Sequence, residues 1–211
     1  SEWVWAAASN TATSPREVTG RGDRYTTNAT WWDPGTALRD AEVRLGSTEL
    51  LTVGAPPEFG PYLAVEDLPA SIAEAAEAVA GDAPNRIAVA FALQDWFRSG
   101  EFSYDESAPY VPGADPAAPY AVMEAFLTER TGYCVHYAST FAVMARSLGV
   151  PTRLAVGYVS RSDGERATSV RARELHAWPE VYIDEIGWLA FEPTPGGAGL
   201  RAQGLADPEP L

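Results

Sequence analysis

Between Thr131 and Glu192 the apolar pattern of the chain changes period once, from about 3.6 residues to two, which dictates a helix followed by strands. Tyr137, Phe141, Met144 and Leu148 form one helical stripe, with Gly149 placed just after the helix and Pro151 beyond it. Arg153 to Val159 reads as a short apolar strand. A polar loop over Ser160 to Arg173 follows. Two further strand patterns, His176 to Ile183 and Trp188 to Glu192, then flank a turn at Asp184 to Gly187. Strands joined by so short a turn pair antiparallel, and an amphipathic helix must bury its stripe, so the helix is expected to lie on this sheet.

Three more helices are expected upstream. Ser71 and Glu74 are spaced as a capping box, and Gly81 is placed to end that helix in the left-handed region. The next starts near Asp82-Ala83-Pro84, carries Ile87, Ala90, Phe91 and Phe97 on a helical period, and stops at Gly100. Tyr120 to Glu129 forms the third, with Tyr120, Met123 and Leu127 inward and Phe126 alongside. Residues 1 to 60 differ in being rich in Thr, Gly and Trp. Tyr25 to Trp32 and Ala41 to Val53 read there as extended, and Gly54-Ala55-Pro56-Pro57 with Gly60-Pro61 reads as a connector. The expected organisation is a β-rich segment over 1–60, a core over 61–195 and a flexible linker over 196–211.

Composition narrows the function classes. With 46% apolar residues in 211, a sizeable core can form. The basic residues number 15, all Arg, against 29 acids, and the net charge of −14 repels phosphate backbones and anionic lipid. Nucleic acid is not an expected partner. No apolar run approaches the ~20 residues of a membrane-spanning helix. Cys134 is the only cysteine, so no internal disulfide forms, and with only His136 and His176 beside it a Cys/His zinc site lacks ligands. No dense Asp/Asn cluster has calcium-loop spacing, so neither metal nor cofactor is expected.

Cys134 falls in the first turn of its helix, where unpaired N–H groups and the positive dipole end favour thiolate. The position also fits a small buried apolar side chain. His176 lies on one hairpin strand and Glu192 on the other, as diagonal neighbours that a glutamate can bridge. A nucleophile, an imidazole and a carboxylate are the parts of thiol acyl transfer. His136 stands two residues from Cys134, about 200° around the helix, and is read as structural. Glu180 remains an alternative to Glu192, whereas Asp184 and Glu185 sit in the turn. Tyr133 and Trp178, beside nucleophile and base, are candidate substrate-binding walls of the cleft.

Four ordered motifs carry a family resemblance: Gly132-Tyr133-Cys134-Val135-His136-Tyr137-Ala138; Leu148-Gly149-Val150-Pro151-Thr152-Arg153 with Gly157-Tyr158; His176-Ala177-Trp178; and Gly187-Trp188 with Phe191-Glu192-Pro193-Thr194. Together they resemble the bacterial transglutaminase-like superfamily, and within it the TgpA-like group. The resemblance implies an α+β, papain-like core with Cys134 as nucleophile, His176 as general base and acid, and Glu192 as orienting acid where the superfamily more often has Asp. It also implies an extracytoplasmic domain of the cell envelope, tethered to the membrane within a larger polytopic protein.

The expected activity is protein-glutamine gamma-glutamyltransferase-like: an acyl-enzyme on Cys134, formed from glutamine side chains or similar amides of envelope proteins or cell-wall peptides and resolved by an amine or water. A cysteine peptidase or amidase with the same triad, and a catalytically silent partner-binding domain, are the alternatives. Lacking Lys and holding only Gln94 and Gln203, the chain is a poor substrate for itself in cross-linking. Nothing in the sequence specifies an oligomeric state.

Overall fold

A computed structural model describes residues 4–6, 11–13, 57–108, 118, 120–158, 174–184 and 186–196. The chain divides into two compact units, 1–32 and 33–211. In the first, strands β1 (Val4–Ala6) and β2 (Thr11–Thr13) pair antiparallel, with Trp5 opposite Ala12. The extended segments expected over 25–32 and 41–53, the loop over 160–173 and the linker beyond residue 196 lie outside the described residues.

The second unit lays helices on an antiparallel sheet, so the fold is α+β. Its helices are α1 (Ala70–Ala80), α2 (Arg86–Arg98), α3 (Ala121–Glu129) and α4 (Cys134–Ser147). The sheet has the order β5 (Thr152–Tyr158), β6 (Leu175–Ile183), β7 (Gly187–Ala190). Two short strands, β3 (Ser103–Tyr104) and β4 (Thr131–Gly132), form a separate parallel bridge. Helix α4 is central, touching β6, β5 and the other three helices. Its stripe residues Tyr137, Phe141 and Met144 are fully buried, and Gly149 turns the chain out of the helix at φ +75°. Phe97, Phe102, Phe126 and Tyr137 meet below it, with Phe126 and Tyr137 edge to face at 4.8 Å.

Several local expectations are corrected. Helix α1 begins after Pro69, whose carbonyl accepts from Ile72 N–H at 3.1 Å, so Ser71 lies inside the helix and forms no capping box. Its hydroxyl donates instead to Glu124 of α3 at 2.6 Å. Gly81 is right-handed at φ −61°, since its N–H continues the helical ladder to Glu77 at 2.8 Å. Helix α2 starts at Arg86 because Asn85 caps it, accepting from Ala88 N–H at 2.7 Å. Of the expected connector, Gly54-Ala55-Pro56 lie outside the described residues, and what is described is Pro57 with Gly60-Pro61. These sit in a 3-10 turn (Pro57–Tyr62) whose Phe59 and Tyr62 cover the outer face of the sheet, Phe59 packing on Tyr182 at 4.1 Å and Tyr62 edge-on to Trp188 at 4.9 Å. Arg153 stacks on that Trp188 at 4.3 Å.

Candidate active site

The nucleophile position is built from the chain outward. Tyr133 has extended backbone and caps α4, so Cys134 is the first helical residue. The Tyr133 N–H, which would otherwise lack a partner, donates to Nδ1 of His136 at 3.2 Å. His136 is therefore an acceptor, hence neutral, and burial holds its pKa below the ordinary value. Its ring lies parallel to Phe126 at 5.9 Å, away from Cys134. The bridge of β3 and β4 pins the loop before the helix: Asp105 N–H donates to Gly132 and Ser103 N–H to Arg130, both at 2.9 Å.

The sheet brings the base to this helix start. Gly157 is paired with His176 in β5–β6, and Ile183 with Gly187 closes the hairpin. Continuing that register places Glu192 opposite Trp178, one diagonal step from His176. The glutamate spans the step: His176 Nε2 meets Glu192 Oε2 at 2.6 Å, both side chains being buried. With Nε2 engaged, Nδ1 is the ring nitrogen left for Cys134, with which His176 shares a side-chain hydrogen bond.

Electrostatics follow from this row. Burial by itself disfavours the thiolate, but the hydrogen bond and charge of His176 and the backbone N–H groups of Ala177 and Val135 outweigh it, and the Cys134 thiol lies below its ordinary pKa. Burial likewise disfavours the imidazolium, yet hydrogen bonds to Cys134 and Glu192 and their charges push His176 up to about 9. The same contacts therefore favour the thiolate on Cys134 and the imidazolium on His176, with the Glu192 side chain bonded to the far side of the ring.

Glu192 is itself held. Its Oε1 accepts from Thr194 N–H at 2.9 Å, and its own N–H donates to the side-chain oxygen of buried Gln94 at 2.9 Å. Eight residues earlier on α2, Arg86 pairs with Asp184 of the hairpin turn at 3.0 Å. Helix α2 thus holds the hairpin at both ends. Glu180 is engaged elsewhere, bonded to Arg153 at 2.7 Å and accepting from the Trp178 indole at 3.3 Å.

A cleft of about 290 Å³ opens over the sulfur, with Tyr133, Cys134 and His176 in its wall. Trp178 does not line it: the indole lies parallel to the His176 ring at 6.3 Å, with Gly157 beneath. Other wall residues, Tyr104 and Glu106 from the β3 segment and Val156 and Leu175 from the sheet, carried no sequence signal, because only long-range pairing brings them there. Gln94 did carry one. An uncharged polar residue on the buried stripe of Ala90, Leu93 and Phe97 must find a partner inside. Among the described residues no group of three or more His, Cys, Asp and Glu could hold a metal ion.

A family model described as the transglutaminase-like superfamily matches residues 73–193, more than half of the chain. The chain belongs to the transglutaminase-like superfamily. In sequence it is similar to an uncharacterised protein, YebA, of Bacillus subtilis, 32% identical over 143 residues, covering 64% of this chain and 19% of that protein. A protein-glutamine gamma-glutamyltransferase of Pseudomonas aeruginosa is 33% identical over 112 residues, covering 51% of this chain and 15% of that one. The chain thus spans less than a fifth of either relative. In structure it is similar to the periplasmic domain of TgpA from Pseudomonas aeruginosa, with a TM-score of 0.54 at 26% identity over 65% of this chain and 49% of that domain. No helix among the described residues is long and apolar enough to cross a membrane.

Proposed function

We propose that this domain is a thiol acyltransferase of the protein-glutamine gamma-glutamyltransferase type, with Cys134 as nucleophile, His176 as acid and base, and Glu192 as the orienting carboxylate. The observation that carries this reading is the Cys134–His176–Glu192 row, half-buried at the cleft-facing sulfur and buried at the imidazole and carboxylate, with the thiol depressed and the imidazole raised to about 9. The thiolate adds to the carboxamide carbon of a glutamine side chain. The oxyanion that results sits near the N-terminus of α4, whose dipole and the Cys134 N–H oppose its charge. His176 gives its proton to the departing nitrogen, releasing ammonia and leaving a thioester. An amine then attacks the thioester while His176 takes a proton from it, and collapse frees the amide product and the thiolate.

Water in place of the amine gives hydrolysis by the same steps, so the acceptor is set by what the cleft admits. The relatives support the transferase reading, since one of them bears that name. The likeness to a periplasmic domain supports placement in the cell envelope, as a domain of a larger, membrane-tethered protein. The test is incorporation of a biotinylated primary alkylamine into a glutamine-containing protein such as casein. Wild type should label it and Cys134→Ala should not; equal labelling by both would overturn the proposal. Release of ammonia without amine incorporation would reassign the domain as an amidase.

A further inference from the structure

The large apolar side chains that stand exposed among the described residues are Tyr104, Val135, Leu154, Val156, Tyr158 and Leu175, and all six gather at one place. Tyr104, Val135, Val156 and Leu175 line the cleft over Cys134. Leu154 and Tyr158 flank Val156 on the same face of β5, and Tyr158 is paired with Leu175 across the sheet. Val156, at 67%, is the most exposed of the set. This is the face on which α4 lies, for at its other end Thr152 and its partner Val181 are fully buried. The apolar row therefore begins under the helix and continues past it, with no described residue covering it. β5 is also the outer strand of its sheet among the described residues.

We propose that this face is the acyl-donor subsite and takes a peptide in extended conformation whose residues two places from the reactive glutamine are aliphatic or aromatic. The inference rests on the acyltransferase reading and deepens it. Three observations select this occupant. The row is continuous with the cleft over the sulfur, so anything seated permanently on Val156 and Leu175 would close the thiol off; the occupant must arrive and leave with each turnover. Leu154, Val156 and Tyr158 repeat every second residue, about 6.8 Å apart in a strand, which is the repeat of same-side residues in an extended peptide. Glu106 in the cleft wall and the net charge of −14 disfavour a donor with acidic flanks.

The test uses three acetylated peptides with a central glutamine, bearing Leu, Ser or Glu two residues to either side. Ammonia release should rank Leu over Ser over Glu in kcat/KM, with Leu favoured over Ser on the order of tenfold. Val156→Thr combined with Leu175→Ser should bring that ratio close to one. Both side chains are half exposed or more, so the pair should keep the wild-type melting profile. Equal rates for Leu and Ser, or a Leu preference that survives the double substitution, would overturn the inference. If no peptide is turned over, fluorescein-labelled versions are titrated against Cys134→Ala by anisotropy. Tighter binding of the Leu peptide, lost with the double substitution, would sustain the subsite while the acyltransferase reading fell. Equal or absent binding would overturn the subsite. Light scattering covers the other occupant: a wild-type dimer made monomeric by the double substitution, with peptide preference unchanged, would assign the face to a second copy and overturn the proposal.

Discussion

Glu192 rather than Glu180 meets His176, and the difference lies in what each carboxylate already holds. Glu180 is neutralised by Arg153, whereas Glu192 spends one oxygen on Thr194 and the other on the imidazole. Glu192→Gln should therefore lower kcat by roughly 100-fold or more, as loss of an orienting acid does elsewhere. Glu180→Gln should cost far less, and steady-state kinetics on the two variants decides between them. Gln94 acts one step further back, as a positioning residue. Gln94→Leu leaves the buried Glu192 N–H without an acceptor, a cost of about 1–3 kcal/mol in stability, and lets the carboxylate drift from His176. The alkaline edge of the pH–rate profile should fall below that of wild type, and Gln94→Glu, which keeps an acceptor oxygen, should restore it in part. A melting point that drops with an unmoved alkaline edge would leave Gln94 a merely structural role.

At the scale of elements, the nucleophile is aimed by packing under the loop that precedes α4. A Cβ at Gly132 would stand 2.8 Å from the Phe126 ring and 3.0 Å from the His136 Cβ, both buried side chains with little room to yield. Gly132→Ala should destabilise the domain by about 1–3 kcal/mol and slow Cys134 chemistry, read by thermal melting and by alkylation rate together. Much of this element plan was legible in the sequence. The stripe Tyr137, Phe141, Met144 with Gly149 and Pro151 marks α4 closely, and the hairpin turn fell where its residues placed it, so the diagonal of His176 and Glu192 could be read from spacing. Where local signals mislead, the cause is local: Ser71 and Glu74 have the spacing of a cap, but Pro69 opens the helix two residues earlier, and Phe59 and Tyr62, beside Gly60-Pro61, anchor that turn to the sheet. Tyr104 and Glu106 were illegible because a parallel bridge between residues 103–104 and 131–132 leaves no short-range pattern.

For the whole molecule, the coupled pair shapes stability as well as chemistry. His176 carries a proton up to about 9, against an unfolded value near ~6.5, so by itself it contributes stability that is complete below ~6.5 and is lost as pH rises through about 9. Cys134 has the opposite sign: its lowered thiol contributes stability present above the unfolded value near ~8.5 and lost as pH falls through the folded one. The two contributions have opposite signs and partly offset each other, so wild-type stability should vary less with pH than that of a variant lacking the thiol. Cys134→Ser removes the thiol's part, so its stability should decline as pH rises from ~6.5 toward the folded value of His176, a difference that denaturant melts across this range would show.

The central claim is that Cys134 and His176 form an activated ion pair, and it is tested most directly by the pH dependence of Cys134 alkylation by iodoacetamide in wild type and His176→Ala. Wild type should react on a plateau extending well below the ~8.5 of an ordinary thiol, and the variant should lose that plateau. A thiol that reacts only at high pH, and equally in both proteins, would contradict the account.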